Sequence, residues 1–504
     1  MHLVTLTVLI PMLAAVVLLL PPSGKSVQAR RITSVIFACV TLIVSIALLV
    51  KTLDGQTIVY AIGDWKAPFG IVLIGDRLSA LLVTLTSFLA LCCVTYSLTG
   101  DDEKGSFFHP LMHFLTLGVN GAFLTGDLFN LFVFFEVLLI ASYSLLMHGV
   151  DKQKTRAALH YVILNLVGSS VFLIALGILY GVLGTLNIAD MALKVSQLSG
   201  DDVALAKIGG LLLLIVFALK AAILPLHMWL PSTYSTAMPV VGAMFAIMTK
   251  VGVYAMFRVY TVIFGAYAGS LDNMAAQWLW PLAIITIFVG ALGVLASQDF
   301  RRLVANLVVV SVGTLVAAVA MHSVMATAAA LYYIIHSTVL VAALFLLAEL
   351  IGLQRGKTAD RLVPARAVTQ PLLLGSCFII ASLGVIGMPP LSGFIGKIWF
   401  LEAALEVNLH LSFWPVYLLA SLMIMIALSR AGSQLFWKQS NSEPSGERAK
   451  PVQIAMVIVL LSCTPLMVVF AGPISEFTLA TATQLHDVQG HVNAVIGVSL
   501  EGQQ

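Results

Sequence analysis

Leu219-Lys220-Ala221-Ala222-Ile223-Leu224-Pro225-Leu226-His227-Met228-Trp229-Leu230-Pro231 puts a lysine and two prolines inside an apolar window that runs from 205 to 230. A window of that length and composition reads as a membrane-crossing helix. Proline inside it removes an amide donor and frees a carbonyl, and in hydrocarbon such groups must find partners within the protein or a hydrated cavity. The stretch therefore predicts a helix broken at Pro225 and again at Pro231, held among other helices. A second stretch of the same kind, Gly387-Met388-Pro389-Pro390-Leu391-Ser392-Gly393, interrupts the window 371–406. Two broken membrane helices in one chain are the sequence sign of a transporter built from repeats.

Working outward, further apolar windows lie at 3–21, 31–51, 73–98, 109–126, 128–149, 157–184, 238–262, 277–297, 302–321, 324–353, 411–437 and 451–472. The expected fold class is an all-α polytopic membrane protein of about fourteen transmembrane helices, with helices seven and twelve broken. Composition agrees: 60% of the 504 residues are hydrophobic and 10% charged, against about 25% charged in soluble domains. Mean hydropathy is +1.03. The net charge of +3 is no nucleic-acid footprint. Leu3 to Leu20 reads as a retained first helix, because no basic stretch precedes it and Pro21, Pro22, Lys25, Arg30 and Arg31 follow. The segment 188–199 suits a surface helix or loop, and the tail after Pro473 reads as short and mildly amphipathic.

Most lysines and arginines fall in alternate loops: Lys25, Arg30 and Arg31, then Lys104, Lys152, Lys154 and Arg156, then Arg301 and Arg302, then Arg355, Lys357, Arg361 and Arg366, then Lys438, Arg448 and Lys450. The positive-inside rule puts these loops in the cytoplasm and both termini on the external side of a bacterial inner membrane. Ala157-Ala158-Leu159-His160-Tyr161-Val162-Ile163-Leu164-Asn165 echoes Ala329-Ala330-Leu331-Tyr332-Tyr333-Ile334-Ile335-His336-Ser337. These open helices six and eleven, each one hairpin before a broken helix. An offset of five helices makes the halves inverted. The expected organisation is 1–108 (helices one to three), 109–264 (first five-helix repeat), 277–437 (second, inverted repeat) and 438–504 (helix fourteen and a tail).

The ionisable residues singled out well inside apolar windows are Glu136, Lys220, Lys250, His336 and Lys397. A charge at the bilayer centre costs roughly 2.5–3.5 kcal/mol on insertion scales. Glu136 and Lys220 form either a structural ion pair or a carboxylate whose proton affinity the lysine sets. Lys220 either caps freed carbonyls or titrates. His336 is a core histidine or a relay, and Lys397 is an interfacial anchor or the exit of a proton path. One acid and several bases through one membrane domain fit a lateral proton path, with His160 and His227 as secondary relay groups. Asp76-Arg77 reads as a capping or interface pair, Asp127 as the cap of helix five, Asp299-Phe300-Arg301-Arg302 as a cap and anchor, and Glu349, Glu402 and Glu406 as solvated helix-end groups. The five cysteines lack any ligand spacing and no phosphate loop is present, so no cofactor, metal or nucleotide is expected.

Gly126-Asp127-Leu128-Phe129-Asn130-Leu131-Phe132-Val133-Phe134-Phe135-Glu136-Val137 resembles the fifth-helix signature of the antiporter-like subunits shared by Mrp-type cation/proton antiporters and respiratory complex I. The stretch 219–231 resembles that family's broken seventh helix, and 387–397 its broken twelfth. The likeness covers roughly residues 70–440, and the Asp-Leu-Phe-Asn-Leu-Phe form is that of the Mrp branch. The long carboxy-terminal region of one Mrp subunit and the lateral helix of one complex I homologue are not expected here. Ala305-Asn306-Leu307-Val308 departs from the aromatic and serines of complex I relatives. The resemblance implies an essential Glu136–Lys220 pair, Lys250 and His336 as central relays and Lys397 as terminal lysine.

The function so implied is not enzymatic. It is a proton-translocating subunit of a multisubunit Na+/H+ antiporter, with other Mrp-type subunits, H+, Na+ and the bilayer as partners and no nucleic acid. The alternative is a proton-pumping subunit of complex I or a membrane hydrogenase. A scaffold whose charges only fix helix packing is the third reading.

Overall fold

The computed structural model describes residues 2–21, 23–105, 107–149, 152–438 and 446–498. Pro22 and the side chains of Lys152 and Lys154 lie outside the described residues. The chain begins with α1 (His2–Leu19), α2 (Val27–Thr52), α3 (Arg77–Ser97), α4 (Phe108–Leu124), α5 (Leu128–Leu146) and α6 (Lys152–Leu183). Short α7 (Ile188–Val195) precedes α8 (Asp201–Ala221), α9 (Trp229–Thr236), α10 (Pro239–Phe245) and α11 (Met248–Arg258). Then come α12 (Ala276–Ala296), α13 (Phe300–Met321), α14 (Val324–Arg355), α15 (Pro371–Ile386), α16 (Ser392–Glu406), α17 (His410–Gly432), α18 (Pro451–Val469), α19 (Ala471–His486) and α20 (Val488–Ile496). Among the described residues, 12 helical segments are long and apolar enough to cross a membrane.

The helices are layered. The most apolar windows of α10–α11 and α13 are buried along their whole length, and that of α14 nearly so. Those of α2, α6 and α18 are mostly open. A helix apolar on all sides belongs inside a bundle, so these central helices carry side chains that never face lipid. Outer helices show lipid-facing Leu, Ile and Val on one side, as at Ile32, Ile36, Ile43 and Val50 of α2.

Several expectations are corrected. Helix three begins at Arg77, not 73, because Val72–Gly75 is a strand (β2) paired antiparallel with Ile58–Ala61 (β1). The β-branched residues there favour strand, and Asp76 starts the helix by accepting from the Ser79 amide at 2.8 Å. Asp76 is thus the cap expected of it, and its ion pair is with Arg258, while Arg77 donates to the Leu53 carbonyl. The segment 188–199 holds a helix, but not on the surface: α7 is almost wholly buried and capped by Asn187, and only the turn after it, at Ser196, Gln197 and Ser199, is exposed. Pro231 does not break a helix, since it sits in the first turn of α9, where no amide bond is lost. Helix eight is split between α10 and α11, and the tail folds into α19 and α20, packed on α14 and α7. Asp299 makes no side-chain cap; Asp360 does so instead, accepting from the Arg301 amide at 2.9 Å and its guanidinium at 3.0 Å. Glu349 is half-buried and accepts from the Tyr96 hydroxyl at 2.9 Å, so it is not a freely solvated group. Asp127 caps α5 as expected, through the Asn130 amide.

A buried polar chain fastens α2 to α4. Arg31 forks onto Asp102 at 2.6 and 2.7 Å. Asp102 bonds His109 at 3.2 Å, and Ser34 joins His109 and His113 at 2.9 and 3.0 Å. Burial alone would raise the Asp102 carboxyl. The hydrogen bonds and charges of Arg31 and His109 outweigh it and hold the carboxyl below its usual 3.8. A depressed carboxyl stabilises the fold fully above its unfolded value and loses that as pH falls through the folded one. Asp102→Asn should therefore lower stability at neutral pH by about 2 kcal/mol and weaken the acid dependence of the thermal midpoint, read on the solubilised protein. An unchanged midpoint at neutral pH contradicts the clamp.

Candidate functional site

Each of the three lysines singled out in the sequence lies beside a helix discontinuity. α8 ends in Ala222, whose φ of 62° is left-handed. Two residues before it, Lys220 is buried at the helix C-terminus, where the macrodipole favours a cation. The freed groups are satisfied locally: the Trp229 indole donates to the Leu219 carbonyl at 3.1 Å, and the Thr286 hydroxyl accepts from the Leu224 amide at 3.1 Å. The second discontinuity separates α10 from α11 at Ala246–Ile247, with the Tyr234 hydroxyl on the Phe245 carbonyl at 2.8 Å. Lys250 follows it in the first turn of α11. It is fully buried, and its ammonium has no hydrogen-bond partner among the described residues. Gly252 explains how α11 reaches α8: a Cβ there would lie 2.8 Å from the Ala221 amide nitrogen, so only glycine lets the two backbones touch.

The third discontinuity joins α15 to α16 through Gly387, with φ 79°. Lys397 reaches back across it to the Ile386 carbonyl at 2.7 Å and to the Ser421 hydroxyl of α17 at 2.6 Å, over the Tyr417 ring. Lys397 is thus a carbonyl cap, the role weighed for Lys220 in the sequence. His336 of α14 shares a 2.8 Å hydrogen bond between Nδ1 and the Ser392 hydroxyl at the head of α16. Gly393 makes room for that ring, whose Cε1 would lie 3.1 Å from a Cβ.

Glu136 sits midway along α5 and is half-buried on the lateral surface of the chain. No ion pair within 4.0 Å joins it to Lys220 among the described residues. α6 offers a partner to each, and the Lys220 ammonium also lies over the Phe135 ring of α5, 5.7 Å from its centroid. The Ser169 hydroxyl of α6 donates a short hydrogen bond to the Glu136 carboxylate, and its Asn165 carbonyl accepts from Lys220 at 3.1 Å. Asn165 and Ser169 are four residues apart, so one face of one helix carries the link. Sequence reasoning missed both, and also Ser392 and Ser421 as partners; the signal was polar side chains at helical spacing in apolar windows.

The secondary candidates separate. His160 is exposed and joins none of these groups. His227 lies in the first break and lines a cavity of about 470 Å³ with Ser232, Ser297, Asp299, Arg302 and Asn306. Asn306, the departure noted in helix ten, donates to Ser297 at 3.2 Å and to the Arg302 carbonyl at 3.0 Å, so that helix does supply polarity. Glu402 and Glu406 are exposed at the end of α16.

Residues 125–425 match a family model described as NADH:quinone oxidoreductase/Mrp antiporter, TM. A Rhizobium meliloti protein, named as the probable D-type subunit of a K(+)/H(+) antiporter, is 38% identical over 100% of this chain and 99% of its own length. A Bacillus subtilis protein, named as the D-type subunit of a Na(+)/H(+) antiporter, is 37% identical over 91% and 92%. A chain in the structure of the Mrp complex from Dietzia sp. superposes with a TM-score of 0.88 at 27% identity, covering 98% of this chain and 99% of that one.

The α6 link has a spectroscopic consequence. In isotope-edited infrared spectra, the glutamate band that Glu136→Gln removes should shift in Ser169→Ala, with the fold intact by circular dichroism. A band unmoved by Ser169→Ala means that the hydroxyl does not hold the carboxylate.

Proposed function

The chain belongs to the NADH:quinone oxidoreductase/Mrp antiporter membrane family, and on that footing we propose that it is the proton-translocating D-type subunit of a multisubunit Na+/H+ antiporter. Its full-length relatives carry antiporter names, which favours this reading over a complex I or hydrogenase subunit. The relatives' names divide between potassium and sodium; sodium is the cation proposed.

The observation that carries the reading is the α6 bridge: Ser169 on Glu136 and Asn165 on Lys220, one helical turn apart. A proton held at Glu136 and a charge at Lys220 influence each other through one polar face in a low-dielectric interior. The path then runs through Lys250, whose ammonium has nothing to bind in the described structure, to the His336–Ser392 pair and Lys397–Ser421. A space of about 20 Å³ beside Lys397, Tyr333, Tyr417 and Ser421 is room for about one water. Coupling is electrostatic: cation movement elsewhere in the assembly shifts the Glu136–Lys220 balance and with it the proton affinities along the row. Lateral exposure of Glu136 at mid-membrane fits a neighbouring subunit covering it, since an open carboxylate in lipid is expensive.

Fourteen crossings follow if the 12 spans are joined by α4 and by the α15–α16 pair. The inverted repeats 109–264 and 277–437 are proposed on the left-handed residue that ends the first half of each broken helix, Ala222 and Gly387. The basic loops, drawn together by contacts such as Arg31–Asp102, Arg301–Asp360 and Lys450 with the Thr99 carbonyl, form the cytoplasmic face, with both termini external.

In everted vesicles from an antiporter-deficient host, energised by respiration and holding the whole complex, sodium should discharge the pH gradient. Glu136→Ala at matched assembly should lower that response about tenfold or more. Equal responses make Glu136 structural, and no sodium response from the assembled wild type ends the antiport reading.

A further inference from the structure

The face opposite the basic loops carries a cavity of about 650 Å³ roofed by α19 and α20 and lined by Asp76, Arg77, Glu476, Gln484, Asp487 and His491. Gln484 pins the roof, donating to the Gly55 carbonyl at 2.8 Å and accepting from the Arg77 amide at 3.3 Å. Acidic residues around an opening are not in themselves a site. Here two further features point inward.

The first is His491. It is 8% exposed, and its Nε2 has no hydrogen-bond partner among the described residues although the ring lines the cavity. Burial, then the Arg258 charge, hold it down at about 4 against the opposing pull of Asp76 and Asp487, so it is a neutral imidazole at ordinary pH.

The second is a buried row behind the cavity wall. Asp76 pairs with Arg258, which donates to the Ser79 hydroxyl at 3.0 Å and to the Tyr254 hydroxyl at 3.0 Å. Lys250, Tyr254 and Arg258 recur every four residues on α11, so they share one face over a rise of about 12 Å. That face starts at an ammonium without a partner and ends at a carboxylate that lines the cavity.

We propose that protons pass between the external face and Lys250 through this vestibule, by way of His491, the Asp76–Arg258 pair and the Tyr254 hydroxyl. The proposal rests on the proton-carrying reading of the chain and adds its external opening. Arg258 keeps its protons and positions its neighbours. The exchanging groups are the His491 imidazole, the Asp76 carboxylate and the Ser79 and Tyr254 hydroxyls, each taking a proton on one lone pair and releasing one to the next group. The Tyr254 hydroxyl, which donates to the Phe123 carbonyl at 2.7 Å, turns from it to serve Lys250.

The test uses the whole complex in sealed vesicles, with the chain freed of its five cysteines and Ala494→Cys added at the exposed edge of the cavity. A bulky, membrane-impermeant thiol reagent applied from the external side should label Cys-bearing chains and lower sodium-driven proton movement about tenfold. The same reagent from the other side should do neither. Tyr254→Phe, which removes one oxygen and spares the ion pair, should lower the rate at unchanged assembly and leave the apparent sodium affinity alone. Full labelling with an unchanged rate, no labelling from outside, or a wild-type rate in Tyr254→Phe overturns the vestibule. Glu136→Gln is run in parallel: if it is inactive while the vestibule variants are normal, only this proposal fails, and if it too is normal, the proton-carrying reading fails with it.

Discussion

A helix interrupted inside hydrocarbon leaves amides and carbonyls that only the protein can satisfy, and the interior of this chain is organised around three such interruptions. Trp229 and Thr286 close the groups freed at the first, Tyr234 those at the second and Lys397 those at the third. The interruptions also explain why lysines are tolerated there. Lys220 stands at a helix C-terminus, and Lys397 takes two oxygens that the break and α17 provide. Among the three lysines Lys250 alone has no such compensation, and the window around it is buried along its whole length. An uncompensated buried ammonium is a stability liability, which makes it the residue for which a purely structural account is weakest.

The second theme is mediation. Glu136 and Lys220 form no direct ion pair among the described residues; α6 offers Ser169 to one and Asn165 to the other. The Asp76–Arg258 pair, by contrast, is direct, buried and backed by Ser79 and Tyr254. In the mediated pair each charge has its own polar partner on α6, whereas in the direct pair Arg258, which keeps its protons, holds Asp76, Ser79 and Tyr254 around one guanidinium.

The breaks near Pro225 and at 387–393 and the burial of Lys220, Lys250 and His336 are legible in the sequence because each violates an apolar pattern, whereas the break at Ala246–Ile247 carries no proline and goes unread. Cooperative detail is not legible. The strand at 72–75 is hidden because β-branched apolar residues read as helix in a membrane window. The Asp76–Arg258 pair is hidden because its members lie 182 residues apart. Glu349 reads as solvated for want of Tyr96, and Asn165 and Ser169 escape notice because small polar groups are common packing residues in membrane helices. The tail's docking depends on Gln484 meeting the Gly55 loop, 429 residues earlier, which no local pattern reports.

The most direct test of the central claim is Lys250→Met in the purified, fully assembled complex, with thermal stability and sodium-driven proton movement measured on the same preparation. The account predicts a stability equal to or above wild type, since an unpartnered charge is replaced by an apolar chain of similar length, together with loss of proton movement. Proton movement at the wild-type rate, or a stability loss that fully explains its disappearance, would contradict it.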